Sequence, residues 1–443
     1  MKSSSNNIGD KKVAFYTLGC KLNFAETSMI SRKFLEQGYK KVGFDSGADV
    51  FIVNTCSVTQ VADKKCRQAI KKATGKGAKV VVIGCYSQLK PEEISAIEGV
   101  DLVLGIQEKF NVVAHVENLL NGYPDRIISG NIKDIKNYDA AFSTTDRTRA
   151  FLKIQDGCDY YCSYCTVPLA RGKSRNESIS EILKHADTIA SQGIKEIILT
   201  GVNIGDFGKS TGENFLQLIS KLDTLQDIAR FRISSIEPNL LTDEIISFVQ
   251  QSEKFVPHFH VPLQSGSNKI LSAMNRRYCS ELFINRVKKI KSLMPFACIG
   301  SDVIVGFPGE TVEDFNATFS LIKALDIDYL HVFPYSERPF TKAITMKDMV
   351  KSIDKTKRSR LLIELSEIKR QQFYKFNTGR IEKVIFESRN IEGKMFGFTS
   401  NYIKVEAPFC KELIGKVIDV KLTNTTLKGN FDVEFMREKS ILY

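Results

Sequence analysis

Phe151-Leu152-Lys153-Ile154-Gln155-Asp156-Gly157-Cys158-Asp159-Tyr160-Tyr161-Cys162-Ser163-Tyr164-Cys165 is a short, largely apolar run that stops at a glycine and three closely spaced cysteines. Residues 151–155 read as a strand, and the C-x3-C-x2-C segment as the loop leaving its C-terminal end. Three thiolates on one tight loop can ligate three irons of a four-iron cubane. The fourth iron then lacks a protein ligand and can hold a substrate or cofactor. A zinc or redox loop fits this spacing less well. Structural zinc usually closes with four ligands, and no fourth Cys or His lies nearby in the sequence.

Downstream, the pattern of that strand recurs about six times. Residues 151–155, 196–200, 231–234, 259–263, 302–305 and 329–333 are strand candidates, with helix-like stretches such as 181–190 and 312–325 between them. Six βα units predict a barrel or partial barrel, with function gathered in loops at the C-terminal ends of the strands. Upstream, strand candidates at 13–18, 50–54, 80–84 and 102–105 alternate with helical stretches at 24–36, 59–74 and 92–98, which predicts an open parallel α/β sheet. Residues 130–149 read as a polar linker. Residues 342–375 read as one long helix with ten Lys and Arg against four Asp and Glu. After Thr378-Gly379 five short strands follow, at 381–387, 394–399, 402–406, 416–422 and 431–435, the size of a small antiparallel β-barrel that binds oligonucleotides. The expected units are therefore 1–140, 141–375 and 376–443, an α/β chain ending in a small barrel.

A second cysteine set is spread along the first unit. Cys20 follows the first strand in Gly19-Cys20-Lys21, Cys56 the second in Thr55-Cys56-Ser57, and Cys85 the third in Gly84-Cys85-Tyr86. Parallel strands present their C-terminal ends along one rim, so these three predict a second open cubane. A single such Cys would read as a small buried residue; three at equivalent places favour the cluster. Cys66, Cys279, Cys298 and Cys410 share no spacing and read as structural. His258 and His260 read as filling the barrel interior.

Polar groups gather where the barrel strands end: Thr200-Gly201-Val202-Asn203, Ser234-Ser235-Ile236-Glu237-Pro238, Gln264-Ser265-Gly266-Ser267, and Gly306-Phe307-Pro308-Gly309-Glu310. Together they read as a cofactor pocket, with Tyr164, Asn203, Ser234, Glu237, Gln264, Asp302 and Gly306 as candidate cofactor contacts. Arg338, in Tyr335-Ser336-Glu337-Arg338, suits an anionic group of the substrate.

With 443 residues and 43% hydrophobic content the chain can bury several cores, which excludes wholesale disorder. Residues 1–10 are polar and carry no secretory h-region, and no run of 18 apolar residues occurs, so a cytoplasmic protein with no membrane partner is expected. A net charge of +12 suits a polyanion such as nucleic acid. Ten cysteines in such a chain point to metal or catalysis before disulfides.

These residues resemble the methylthiotransferase family of radical S-adenosylmethionine enzymes. The likeness runs from about Val13 to the C-terminus. It rests on both cysteine sets, on Pro262-Leu263-Gln264-Ser265-Gly266-Ser267, on Val305-Gly306-Phe307-Pro308-Gly309-Glu310-Thr311, and on a C-terminal segment similar to a TRAM domain. Thr17-Leu18-Gly19-Cys20-Lys21-Leu22-Asn23 is similar to the branch acting on N6-threonylcarbamoyladenosine at position 37 of tRNA. Phe340 stands where the family commonly has Gly, which bears on the local loop shape. The resemblance implies two [4Fe-4S] clusters and S-adenosylmethionine as cofactors, and the tRNA anticodon stem-loop as partner. The cluster on Cys158, Cys162 and Cys165 would cleave S-adenosylmethionine reductively to a deoxyadenosyl radical that abstracts hydrogen from C2 of the adenine. The cluster on Cys20, Cys56 and Cys85 would carry the sulfur that a second S-adenosylmethionine methylates. An electron donor and a sulfur donor are required and match no motif. The competing readings are the same chemistry on isopentenyladenosine tRNA or on a ribosomal protein, and a non-catalytic iron–sulfur tRNA-binding module. Six intact ligand positions argue against the last.

Overall fold

The computed structural model describes residues 11–123, 125–144, 148–426 and 428–436; the polar opening, residues 1–10, lies outside the described residues. The apolar runs of the first third form β1 (Lys12–Thr17), β2 (Lys40–Lys41), β3 (Val50–Thr55), β4 (Lys79–Gly84), β5 (Leu102–Leu104) and β6 (Ile127–Ile128). They make one parallel sheet in the order β2-β1-β3-β4-β5-β6. Every residue of β3 is buried, as expected for a central strand covered by helices on both faces. The strand order reverses between β1 and β3, where a doubly wound sheet opens a crevice at its C-terminal edge. The two-residue strands β2 and β6 were not expected from the sequence. Lys40-Lys41 has no apolar pattern of its own, and pairing with β1 alone makes it a strand.

The middle third forms β7 (Ala150–Lys153), β8 (Glu196–Thr200) and β9 (Arg230–Ile233), then β10 (His258–His260), β11 (Cys298–Val305) and β12 (Tyr329–Pro334). Each trio is a parallel sheet. Parallel bridges Phe231↔Phe255 and Ser235↔His260 join the two trios into an open barrel of six strands. Several of its helices start on side-chain caps. Ser178, Asn214, Thr242 and Thr311 each accept a backbone N–H of the first turn, worth about 1 kcal/mol apiece. The apolar faces of the barrel helices, including Ile182, Leu218, Ile246, Val287 and Ile322, pack on Leu152, Leu199, Ile233 and Val303 of the strands.

Two expectations are corrected. Within the expected linker, residues 141–144 are buried rather than solvated. Ala141 and Phe142 are buried, and an antiparallel bridge Phe142↔Leu152 pairs this segment with β7. Ser143 N–H donates to Phe151 O at 3.0 Å and Lys153 N–H to Ala141 O at 2.9 Å. The segment covers a barrel edge that would otherwise expose unpaired backbone. The long helix spans Ser352–Phe376, ten residues shorter at its start than its basic composition suggested. Ala343 is fully buried, and its N–H donates to Ser163 O at 2.7 Å; that contact outweighs local helix propensity.

The Ser352–Phe376 helix places Leu362 and Leu365 in the six-stranded barrel core and Phe373 and Tyr374 in the C-terminal core. Beyond it β13 (Ile381–Phe386), β14 (Lys394–Thr399), β15 (Lys404–Pro408), β16 (Val417–Thr425) and β17 (Phe431–Phe435) close a barrel in the order β13-β14-β15-β17-β16. Among the described residues, no helix is long and apolar enough to cross a membrane.

Candidate functional site

Cys20, Cys56 and Cys85 stand just beyond the C-terminal ends of β1, β3 and β4, on both sides of the strand-order reversal. Cys20 caps the helix Lys21–Glu36 and Cys85 opens the helix Cys85–Leu89. Gly19 makes their approach possible. Its φ is +107°, and a Cβ there would sit 2.8 Å from Cys56 Cβ and 3.1 Å from Cys56 Sγ. Asn23 ties the loops together: its Nδ2 donates to Leu18 O at 2.8 Å and to Thr55 O at 3.1 Å. Cys66, read from sequence as structural, holds Cys56. Its Sγ accepts the Cys56 N–H at 3.4 Å and donates to Cys56 O at 3.2 Å. Burial, then the neighbouring Cys85 and Cys20, push the Cys56 thiol up to about 12. Bound iron would reverse this by stabilising the thiolate.

Cys158, Cys162 and Cys165 follow β7 on a loop whose entry is fixed by Gly157. Its φ is +71°, and a Cβ there would overlap Lys173 O at 2.0 Å. Donors converge on all three sulfurs: Tyr160 N–H on Cys158 Sγ at 3.4 Å, Arg276 Nη1 on Cys162 Sγ at 3.2 Å, and Val167 N–H on Cys165 Sγ at 3.4 Å. Such donors suit thiolates. Burial holds the Cys158 and Cys165 thiols up at about 12.

Neither triad is built for a single ion. Three thiolates on one zinc at about 2.3 Å would lie within about 4 Å of each other. Among the described residues only His260, Asp302 and His331 bring three donor atoms within 4.8 Å. The sulfurs of each triad are thus not drawn together as a single zinc ion would draw them.

The two loops touch. Thr166 Oγ1 donates to Ser57 O at 3.3 Å. Arg338 clamps the same place: Nη1 lies 2.8 Å from Asp63 Oδ2, and Nη2 donates to Ser57 Oγ at 2.6 Å. This corrects the expectation that Arg338 receives a substrate anion. It is 3% exposed and already neutralised by Asp63. Next to it Phe340 adopts φ +64° and is 77% exposed, so the loop keeps the left-handed turn that favours glycine. Phe340→Gly is expected to raise stability by up to about 1 kcal/mol, read from denaturant midpoints. An unchanged or lower midpoint would contradict strain at this turn.

Between the loops lies a cavity of about 220 Å³ lined by Val58, Thr59, Tyr164, Gln264, Asp302 and Tyr335. Of the expected cofactor contacts, Tyr164, Gln264 and Asp302 face it. Gln264 sits at φ +62° and its buried Oε1 has no partner among the described residues. Asn203 is buried with both side-chain polar atoms unpartnered in the same sense. Ser234 lies buried just beyond the end of β9. Glu237 pairs with Arg276, and Cys158 lies within reach of its charge and that of Asp206. The unpartnered amide atoms of Asn203 and Gln264 beside the Cys158–Cys165 loop suit the amino, carboxylate and hydroxyl groups of a nucleoside–amino acid cofactor. Gly306 departs from expectation. Its N–H is committed to Glu310 Oε2 at 2.6 Å, and a Cβ there would meet Lys355 Cγ at 2.4 Å. It shapes the loop and offers no free backbone donor.

Sequence reasoning missed the charge network beneath the loops. Glu26 is fully buried against Lys109 Nζ at 2.6 Å, Arg171 Nη1 at 2.9 Å and Lys153 Nζ at 3.5 Å. Asp156 binds Lys153 at 2.8 Å, Arg171 at 2.9 Å and Arg175 at 3.0 Å. Arg171 Nη2 also donates to Asn23 Oδ1 at 2.8 Å. The only sequence signal was charge inside otherwise apolar stretches.

Comparison with known proteins agrees with this architecture. Residues 12–105 match the family described as Uncharacterized protein family UPF0004, and residues 152–322 match the Radical SAM superfamily. The chain is 41% identical over 422 residues to a threonylcarbamoyladenosine tRNA methylthiotransferase MtaB of Bacillus subtilis, covering 93% of each chain. It is 38% identical to the protein of that name from Aquifex aeolicus, covering 92% of this chain and 99% of that one. A tRNA-2-methylthio-N(6)-dimethylallyladenosine synthase of Endomicrobium trichonymphae is 33% identical, covering 94% and 98%. Among solved structures, the radical S-adenosylmethionine methyltransferase TsrM of Kitasatospora setae, with cobalamin and a [4Fe-4S] cluster bound, superposes with a TM-score of 0.57 at 13% identity. It covers 76% of this chain and 77% of that one, a likeness of fold.

Proposed function

Because this chain belongs to the tRNA methylthiotransferase family of radical S-adenosylmethionine enzymes, we propose that it installs a methylthio group at C2 of N6-threonylcarbamoyladenosine at position 37 of tRNA, in the cytoplasm. The observation that carries this reading is the contact between the two cysteine-bearing loops, Thr166 Oγ1 on Ser57 O at 3.3 Å, beside a cavity lined by Val58, Thr59 and Tyr164. The enzyme uses [4Fe-4S] clusters and S-adenosylmethionine, which supply reductive carbon–sulfur cleavage and the sulfur and methyl transferred to the base. In our reading Cys158, Cys162 and Cys165 hold the cleaving cluster, and Cys20, Cys56 and Cys85 the sulfur-carrying one. Arg276 and the backbone donors stabilise thiolate sulfur. Asn203, Gln264 and Glu237 orient the cofactor. The Thr166–Ser57 contact joins the two cysteine loops, and Arg338 ties the segment after β12 to the Cys56 loop through Ser57 and Asp63, so that base and sulfur meet without a large motion. The Ser352–Phe376 helix and the C-terminal barrel take the anticodon stem-loop. The Bacillus subtilis and Aquifex aeolicus relatives support the threonylcarbamoyl substrate.

The test offers reconstituted enzyme three substrates: tRNA bearing the threonylcarbamoyl group, tRNA bearing the isopentenyl group, and ribosomal protein. Nucleoside mass spectrometry is expected to detect product on the first alone, with tRNA binding weakening as salt rises. Turnover confined to isopentenyl tRNA would move the enzyme to the neighbouring branch; turnover confined to protein would end the RNA reading.

A further inference from the structure

Lys21 opens the helix that Cys20 caps, at the positive end of its dipole, where a cation is disfavoured. It is partly buried, and among the described residues its ammonium makes no ion pair or hydrogen bond. Its charged neighbours add to the difficulty. Arg232 and Arg149 are both within electrostatic reach. The nearby carboxylate, Glu196, is already committed, with Oε1 3.0 Å from Arg232 Nε and Oε2 2.7 Å from Arg230 Nη2. His258 lies within reach of the same lysine. It is 3% exposed, its Nε2 meets Tyr329 Oη at 3.0 Å, and its buried Nδ1 has no partner among the described residues. Lys21 thus extends from the sheet unit toward side chains of β9 and β10. It carries a positive charge that the helix dipole, partial burial and two guanidinium groups all oppose. Such an arrangement is costly unless an anion arrives to complete it.

We propose that Lys21 is the specificity residue that receives the carboxylate on the N6 substituent of the target adenine, with His258 Nδ1 completing the anion site. This rests on the threonylcarbamoyl reading above. That substituent ends in a carboxylate, whereas an isopentenyl group offers none. Lys21 is adjacent in the chain to Cys20, which in our reading helps hold the sulfur-carrying cluster to which the base is presented. A charge-assisted hydrogen bond made there discriminates by about 10- to 100-fold.

The test uses reconstituted enzyme and anticodon stem-loop RNA in two forms, one with the free threonylcarbamoyl carboxylate and one with it converted to the amide. Dissociation constants are measured for wild type, Lys21→Gln and Lys21→Arg, with iron content and the cluster absorption spectrum recorded for each. Wild type is expected to lose about 10- to 100-fold in affinity on amidation. Lys21→Gln should bind both forms as wild type binds the amide, and Lys21→Arg should keep most of the preference. If Lys21→Gln distinguishes acid from amide as well as wild type does, the proposal is wrong. A loss of iron or an altered spectrum with unchanged RNA affinity would assign Lys21 to the cluster as its counter-ion and overturn the proposal equally. Failure of the wild type to methylthiolate threonylcarbamoyl RNA while it modifies isopentenyl RNA would remove the substrate reading itself, and this inference with it.

Discussion

Cys158→Ala is expected to reduce deoxyadenosine formation from S-adenosylmethionine to background, while Cys20→Ala, Cys56→Ala and Cys85→Ala retain it and lose only the methylthiolated product. The expectation follows from the separation of the two triads. Cys158, Cys162 and Cys165 share one loop after β7, whereas the other three come from three strand ends of a different sheet. Removing one ligand of a cubane already open at one iron leaves two thiolates, too few to hold the cluster in place. Reconstituted wild-type chain is expected to bind about eight irons, and the Cys158→Ala/Cys162→Ala/Cys165→Ala variant about four. Substrate-independent cleavage, followed as deoxyadenosine by chromatography, separates the two chemistries. Equal loss of cleavage in both sets, with the remaining cluster retained, would contradict the division of labour.

Glu26→Ala should destabilise the folded chain by about 3–5 kcal/mol. It removes the carboxylate on which Lys109, Arg171 and Lys153 converge and leaves Asp156 as the remaining acid in the network. Because Glu26 belongs to the helix Lys21–Glu36 and Arg171 to the helix Val167–Arg171, the loss falls on the seam between the sheet and the barrel, directly under both cysteine loops. Guanidinium denaturation should show the lower midpoint, and iron retention should fall with it. Burial alone would raise the Glu26 carboxyl, but Arg171, Lys109 and Lys153 prevail and hold it at about 2. The folded value lies below the ordinary one of 4.5, so its contribution is complete above pH 4.5 and is lost as pH falls through about 2. For Lys109 the balance goes the other way: burial outweighs Glu26 and pushes the ammonium down to about 8. Both groups are charged at neutral pH, and the carboxylate is the side whose direction the geometry supports best, since three cations surround it. A midpoint within 1 kcal/mol of wild type would show that the network is dispensable.

The strands and the six cysteines were readable because their signals are local. Val50–Thr55 and Lys79–Gly84 are short apolar runs, and each ends within two residues of a cysteine. The antiparallel cover of β7 by residues near Phe142 was not readable. Its residues have no strand pattern, and the bridge to Leu152 is what orders them. Arg338 misled for the same reason. Its sequence neighbourhood is polar, and only folding brings Asp63 to its guanidinium.

By itself the sequence determined the alternation of strand and helix, the closing barrel, and the placement of three cysteines on one loop and three on strand ends. All of these depend on hydrophobic period and on glycine at turns, which act over a few residues. Only the tertiary structure decided that the two cysteine loops touch, that Arg338 is paired with Asp63, and that Lys21 makes no ion pair or hydrogen bond among the described residues. Those outcomes depend on contacts such as Arg171 with Glu26, 145 positions apart. Electrostatic pairing in a low-dielectric interior is set by distance in space, and no periodicity in the chain encodes that distance.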